Sequence, residues 1–328
     1  MEAQAPPTIL IIGATGNTGR GVTATLPSLL KSSTDKDSVN YRILAVTRSL
    51  NSPASRTLAA IPNIEVIEHT WQEITSSWLR SQNVQRIFIA PHNGTNAFAE
   101  ESSLLVGALT AGVQYIVRIS TNAPNVRADS PVYYARTHWA IESLLGSREF
   151  RMGRLHWTSL QPNGFAPLVL FPAAAYINEF QSEGSQQYLK PLKLLLNEDV
   201  GAGIIDPFEV GVFAAHLLVS QDTERHNGRK YVLNGPEDVS GEDIVKLVEE
   251  VIGESVDREK VVYRDMSIVD GILAATTSES RHVVGSIRHA MEASWAGECK
   301  AVTTSMEVLE IAAPKRTARD VLMEMVEA

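Results

Sequence analysis

The stretch TILIIGATGNTGRGV, residues 8–22, constrains the fold of this chain more than any other. Its first five residues, 8–12, read as a buried strand. Gly13, Gly16 and Gly19 follow at once, and a helical pattern begins within the same run. A strand, a glycine turn and a helix start in that order form a cradle for an anion. The first glycine permits a tight turn and the second lets a pyrophosphate approach the backbone. The third allows close helix–sheet packing, while unpaired N–H groups at the helix start attract negative charge. A glycine-rich turn that binds nothing shares the local pattern, but the strand-to-helix context favours a dinucleotide.

The same alternation continues downstream. Strand-like runs at 8–12, 42–46, 64–67, 86–90, 115–119 and 157–160 are separated by helical patterns, among them 17–31, 98–111 and 131–145. Continuously apolar strands need cover on both faces, and right-handed crossovers then give a Rossmann-type, doubly wound parallel α/β sheet. The second half reads differently, with short strands at 204–206 and 231–233 and a helix over 240–252. Ser240 is that helix's N-cap and Asp243 its third residue, a variant of the capping box. From Arg258 onward the pattern is mostly helical and charged. These features predict a dinucleotide-binding domain over 1–165, to which later elements return. A smaller C-terminal α/β substrate lobe is expected over 166–328, with a cleft between the two.

Charge and cysteine content narrow the partners. The 328-residue chain carries a net charge of −9, which opposes broad contact with nucleic acid or anionic membranes. Cys299 is the sole cysteine, so no disulfide framework and no cysteine-built metal site is expected, consistent with a cytoplasmic location. No His, Asp and Glu grouping has metal-ligand spacing. The opening MEAQAPP lacks the basic and apolar regions of a secretory signal. The longest apolar run, 165–177, contains Pro167 and Pro172 and is shorter than the roughly 20 residues of a membrane span. It reads as a pocket wall, a packed loop or an interface.

The second strand ends in LAVTRSL. An NAD site places an acidic residue here to bind the ribose 2′-hydroxyl. Thr47, Arg48 and Ser49 stand there instead, and a guanidinium suits a 2′-phosphate. The expected cofactor is therefore NADP(H), unless Arg48 is simply a surface arginine at a strand end.

The G-x-x-G-x-x-G spacing resembles extended and atypical short-chain dehydrogenase/reductases. GATGNTGRGV, YYARTHWAIESLL, LHWTSLQPNGF, GIIDPFEVGVFAAHLL and GRKYVLNGPEDVSGEDIV together resemble the NmrA-like family, almost from end to end. That resemblance implies an NADP-binding Rossmann protein. Some members reduce quinones or phenolic and imine-like substrates, and others are redox sensors or transcriptional co-regulators without turnover. It further implies that Gly13, Thr15, Gly16, Asn17, Thr18, Gly19 and Arg48 line the adenosine-diphosphate side. Pro91–His92 and Ser120–Thr121 would flank the middle and nicotinamide portions. Pro162, Asn163, Gly164 and Phe165 would close over the carboxamide. The family's acidic residue near the adenine has no clear counterpart in Glu68, His69, Thr70 and Trp71.

Short-chain reductases commonly pair a serine after the fifth strand with Tyr-x-x-x-Lys on the next helix, where the lysine lowers the tyrosine pKa. Ser120 fits the first role. Tyr134 is followed four residues later by His138, on the same helix face. A protonated His138 would support the tyrosine, and His138 is itself a candidate acid because an unperturbed imidazole titrates near neutrality. Glu142, a further turn on, either orients the imidazole or completes a helical ion pair. Alternatively Tyr133, Tyr134 and Trp139 are helix packing and His138 is a polar neighbour of the cofactor.

Phe165, Leu168, Phe171 and Tyr176 are candidate walls for a bulky apolar substrate, or else pack against the smaller lobe. Three functions fit these residues. The first is an NADP(H)-dependent oxidoreductase acting on C=O, C=N or C=C bonds. The second is an NADP(H)-assisted cyclase or isomerase of specialised metabolism, working by orientation without net reduction. The third is a non-catalytic redox sensor. The sequence leaves the oligomeric state open.

Overall fold

The computed structural model describes residues 6–32, 41–184 and 190–327. The first five residues of MEAQAPP lie outside this range. The strands are β1 (Thr8–Ile12), β2 (Arg42–Thr47), β3 (Ile64–Glu68), β4 (Val84–Ile89), β5 (Tyr115–Ile119), β6 (His156–Pro162), β7 (Leu192–Lys193), β8 (Arg229–Leu233) and β9 (Val261–Val262). Seven of them form one sheet in the order β3-β2-β1-β4-β5-β6-β8, and β7 pairs with β9. Every pairing is parallel. The Rossmann-type fold expected from the alternation is therefore the observed one.

Side chains of β1 alternate between the two faces, as a pleated strand requires. Ile9 and Ile11 pack beneath α1 (Gly19–Ser32), α2 (Pro53–Ala59) and α8 (Pro207–Val219). Leu10 and Ile12 pack beneath α3 (Ser76–Ser81), α4 (Ala97–Ala111), α5 (Tyr133–Leu145) and α6 (Arg148–Met152). A third cluster joins α7 (Ala166–Glu183), α9 (Gly241–Ile252) and α14 (Ala318–Glu327). The short helices α10 (Ile268–Ala275), α11 (Arg281–Gly285), α12 (Glu292–Trp295) and α13 (Met306–Ala312) complete the chain. No described helix is long and apolar enough to cross a membrane.

The second half of the sequence contributes to the sheet directly. β8 adds a strand beside β6, and α8 packs on α1. That helix crossing is close because Gly21 and Gly211 meet there. A Cβ on either would overlap backbone of the facing helix region, at Phe208 and Thr18 respectively.

Two local readings change. Residues 204–206 are not a strand: Ile205 makes one bridge to Phe165, and Asp206 already caps α8 through Phe208 N–H. The run 165–177 is largely helix α7. Pro167 sits in its first turn, where no N–H is required. The capping box of Ser240 and Asp243 is formed as read.

Strand order reverses between β1 and β4, so loops leaving their carboxyl ends diverge and leave a crevice. That crevice holds the candidate site.

Candidate functional site

The glycine turn is built from backbone constraints. Gly13 has φ +85°, a conformation that L side chains rarely adopt, and its carbonyl accepts from Gly16 N–H at 2.9 Å. A Cβ on Gly19 would overlap the Gly13 carbonyl and crowd Ala14. The third glycine is thus required by the turn itself, in addition to the helix–sheet packing read from sequence. No acidic residue occupies the first turn of α1, which leaves the positive end of the helix open to an anion.

A cavity of about 440 Å³ begins at this turn. Gly13, Gly16, Asn17 and Thr18 line it from β1. Ala90, Pro91 and Asn93 follow β4, and Ile119 ends β5 with Ser120, Thr121 and Asn122 after it. Pro162 ends β6 with Asn163, Gly164 and Phe165 after it, and Tyr134 and His138 project from α5. Leu168 of α7, Leu195 and an apolar group at Met266, Ile268, Ile272, Ile287, Ala290 and Met291 form the opposite wall.

Six residues singled out in the sequence do not reach the wall of this cavity. Thr15 and Gly19 shape the turn behind it. Arg48 is exposed beyond β2 and makes no ion pair among the described residues. Its loop is held by Leu50 N–H donating to the Glu68 carboxylate at 2.9 Å. His92 is occupied locally: Gly94 N–H donates to Nδ1, and Nε2 lies 2.6 Å from the Glu100 carboxylate. Phe171 lies on the outer face of α7, 61% exposed, whereas Tyr176 is buried in the α7–α9–α14 core. Spacing alone does not make the split, since Leu168 and Phe171 are only three residues apart; the packing of α7 against α9 and α14 leaves Phe165 and Leu168 at the cavity and Phe171 outside it.

The polar centre differs most from the sequence reading. The Ser120 hydroxyl is buried and has no hydrogen-bond partner among the described residues. Burial pushes the Tyr134 phenol up to about 12, outweighing the hydrogen bond with Thr121 that lowers it. Its ring meets His138 edge-on at 6.4 Å between centroids. His138 is buried, and that burial together with the neighbouring Arg118 charge holds its pKa well below the ordinary 6.5. Both effects favour the neutral imidazole and oppose imidazolium support for Tyr134 or an acid titrating near neutrality. The Glu142 carboxylate makes no hydrogen bond to the His138 ring among the described residues. It bonds Ser159, Gln161 and Lys230, the last at 2.8 Å.

Sequence reading missed Arg118, Glu101 and the wall over 266–291. Arg118 carried a signal, since a charge inside the apolar run YIVRI must find buried partners. The wall's signal was weaker: Met266, Ile268 and Ile272 are apolar positions scattered through a charged stretch.

The arrangement defines a Rossmann-type α/β protein with a deep cavity at the switch point of its sheet. A model of the NmrA-like family matches residues 6–304, and the chain belongs to that family. Similar solved structures include the NADPH-dependent quinone oxidoreductase of Escherichia coli complexed with NADPH. It is 17% identical, covers 97% of this chain and 99% of its own, and has a TM-score of 0.68. Triphenylmethane reductase from Citrobacter sp., complexed with NADP(H), is 17% identical over 97% and 99%, with a TM-score of 0.66. The negative transcriptional regulator NmrA is 16% identical over 99% and 98%, with a TM-score of 0.65. No curated protein matches the sequence.

Proposed function

We propose that this chain is an NADP(H)-dependent oxidoreductase that reduces a bulky apolar acceptor by hydride transfer. One observation carries the reading: a single cavity joins the glycine turn, the unpartnered Ser120 hydroxyl and an apolar wall. The residues present fit the cofactor. Gly13, Gly16, Asn17 and Thr18 hold the diphosphate, with Thr15 and Gly19 shaping the turn. Arg48 takes the 2′-phosphate. Pro91, Thr121 and the loop 162–165 border the nicotinamide end; His92, with both ring nitrogens engaged, has no part in it. When bound, NADP(H) supplies the hydride. The chain's own residues orient the acceptor and exclude water from it. Phe165, Leu168, Ile268, Ile272 and Met291 enclose the apolar body, while Ser120 and His138 offer hydrogen bonds to its polar atom.

The test follows NADPH consumption by its near-ultraviolet absorbance with a panel of quinones, imines and enones. Consumption that falls on His138→Ala substitution supports the reductase. The neutral His138 and un-ionised Tyr134 favour a second reading, in which the cavity steers a cyclisation or isomerisation by orientation alone. Stable NADPH with a rearranged product would select it. Tight NADPH binding without chemistry on any acceptor would sink both and leave a sensor.

A further inference from the structure

Burying an arginine in the middle of a parallel sheet is costly unless its donors are matched. Arg118 lies between Val117 and Ile119 of β5 with no exposed surface. Its Nε and Nη2 donate to the two carboxylate oxygens of Glu101 at 2.7 and 3.1 Å. Nη1 donates to Ser159 Oγ at 3.0 Å, and that hydroxyl donates onward to Glu142. Nη2 also meets His138 Nδ1 at 2.8 Å. A guanidinium has donors only and keeps its charge at all working pH values. His138 Nδ1 must therefore accept, and the ring proton resides on Nε2. An Nδ1–H would point one donor at another.

We infer that Arg118 is a positioning residue that locks His138 as the neutral Nε2–H tautomer, a donor into the cavity that binds an acceptor atom without delivering a proton. The surroundings agree. Arg118 faces the imidazole from β5 and Tyr134 from the preceding turn of α5. Glu101 of α4 and Glu142 of α5 are directed to Arg118, and Lys230 of β8 to Glu142. No carboxylate bonds the imidazole among the described residues, so nothing supports an imidazolium. For the reaction, this rests on the reductase reading and selects among acceptors. A neutral imidazole N–H stabilises developing negative charge but is a poor acid. Acceptors that need no proton as hydride arrives fit best, such as a quinone or a conjugated carbonyl. With the cofactor bound, a hydride, one proton with two electrons, would pass from NADPH, leaving NADP⁺, to a quinone. The resulting hydroquinone monoanion then takes its proton from water.

The tautomer is read without turnover, from long-range ¹H–¹⁵N correlation spectra of the full chain. The expected signature is a protonated Nε2 and a bare Nδ1 for His138, unchanged from about pH 5 to about pH 8, where an unperturbed imidazole titrates. An Nδ1–H tautomer, or a midpoint inside that range, overturns the proposal. Glu101→Gln with Arg118→Gln removes both charges of the pair together; His138 should then mix tautomers and begin to titrate. A double variant with the wild-type signature would show that Arg118 does not set it, and should the variant not fold, the wild-type spectra decide. With menadione as acceptor, His138→Gln, which keeps an N–H, should exceed His138→Ala in kcat by about tenfold or more, the scale of one oriented donor. Equal loss in both variants overturns the donor role. Absence of any NADPH consumption sinks the reductase reading while the spectra still decide the tautomer.

Discussion

The strand-end rim of the cavity and the wall across from it, residues 266–291, are held in place by different means. The rim grows out of β1, β4, β5 and β6, whose Ile11, Phe88, Val117 and Leu160 are wholly buried. Each such side chain contributes about 1.5–3 kcal/mol relative to exposure. The opposite wall has only a small cluster of its own, Val269, Leu273 and Val284, with Met266 and Ile287 packed against it. Three hydrogen bonds tie it to the rim side: Tyr133 N–H to Ser286 Oγ, Asn125 Nδ2 to the Ala290 carbonyl and, at 3.4 Å, Thr95 Oγ1 to the Glu279 carboxylate. Ile268 and Ile272 remain 47% and 40% exposed. A change in the rim therefore disturbs the core of the sheet, whereas a change in the wall alters what fits beside it.

Substitutions separate the two regions, beginning with the most damaging. Gly19→Val places a side chain against the Gly13 carbonyl and should cost about 3 kcal/mol, the upper range of overpacking, together with NADPH binding. Urea unfolding and NADPH fluorescence titration check it; an unchanged turn would mean that the rim is softer than its packing implies. Arg48→Ala should weaken NADPH binding by about tenfold to a hundredfold, the worth of a charged hydrogen bond, and leave NADH affinity alone. An unaltered NADPH-to-NADH ratio would remove Arg48 from the 2′-phosphate site.

On the other wall, Ile272→Asp should raise KM for menadione by about tenfold while the melting temperature stays within the small range of surface changes. A large loss of stability would erase the contrast between the regions. A pH effect belongs to the rim. His138 in the folded chain protonates below its ordinary 6.5, so the unfolded chain binds the proton first. The stability due to the neutral ring is complete above about pH 6.5 and falls with decreasing pH, at up to roughly 1.4 kcal/mol per pH unit. His216 and His226 shift in the same direction through burial, so they share that slope. His138→Gln should remove one proton's worth of it in urea titrations at stepped pH; no change would contradict a buried neutral imidazole. Glu142 behaves differently. Burial pushes its pKa up, but Arg118, Lys230 and Ser159 together hold it below 4.5, so its contribution is lost only in stronger acid. Phe171→Ser is the smallest case, with no expected change in menadione kinetics, because Phe171 faces away from the cavity.

The glycine turn, the parallel sheet and the Ser240 cap were legible because each depends on neighbours in sequence. A continuous apolar run, a positive φ and a capping hydroxyl are local demands, and the residues that meet them stand within a few positions. The positions at 91, 120–121 and 162–165 came from the family resemblance rather than from local pattern, and the doubly wound sheet gathers them at one edge of the cavity. Local reasoning failed where residues far apart share one environment. Tyr134 and His138 share a helix face, as the four-residue spacing requires. Whether that face carries a proton donor depends on Arg118, 20 positions away from His138. Phe171 and Tyr176 belong to the same apolar run as Leu168, yet only the packing of α7 against α9 and α14 settles which of them meets the cavity.

The sequence alone therefore determined the dinucleotide-type fold and the edge at which a ligand sits, because backbone geometry and periodicity are encoded residue by residue. Tertiary structure decided the surroundings of His138, buried beside Arg118, and the identity of the apolar wall. Both are set by desolvation and by charges or side chains that come together only when distant segments pack, and no local pattern records that meeting.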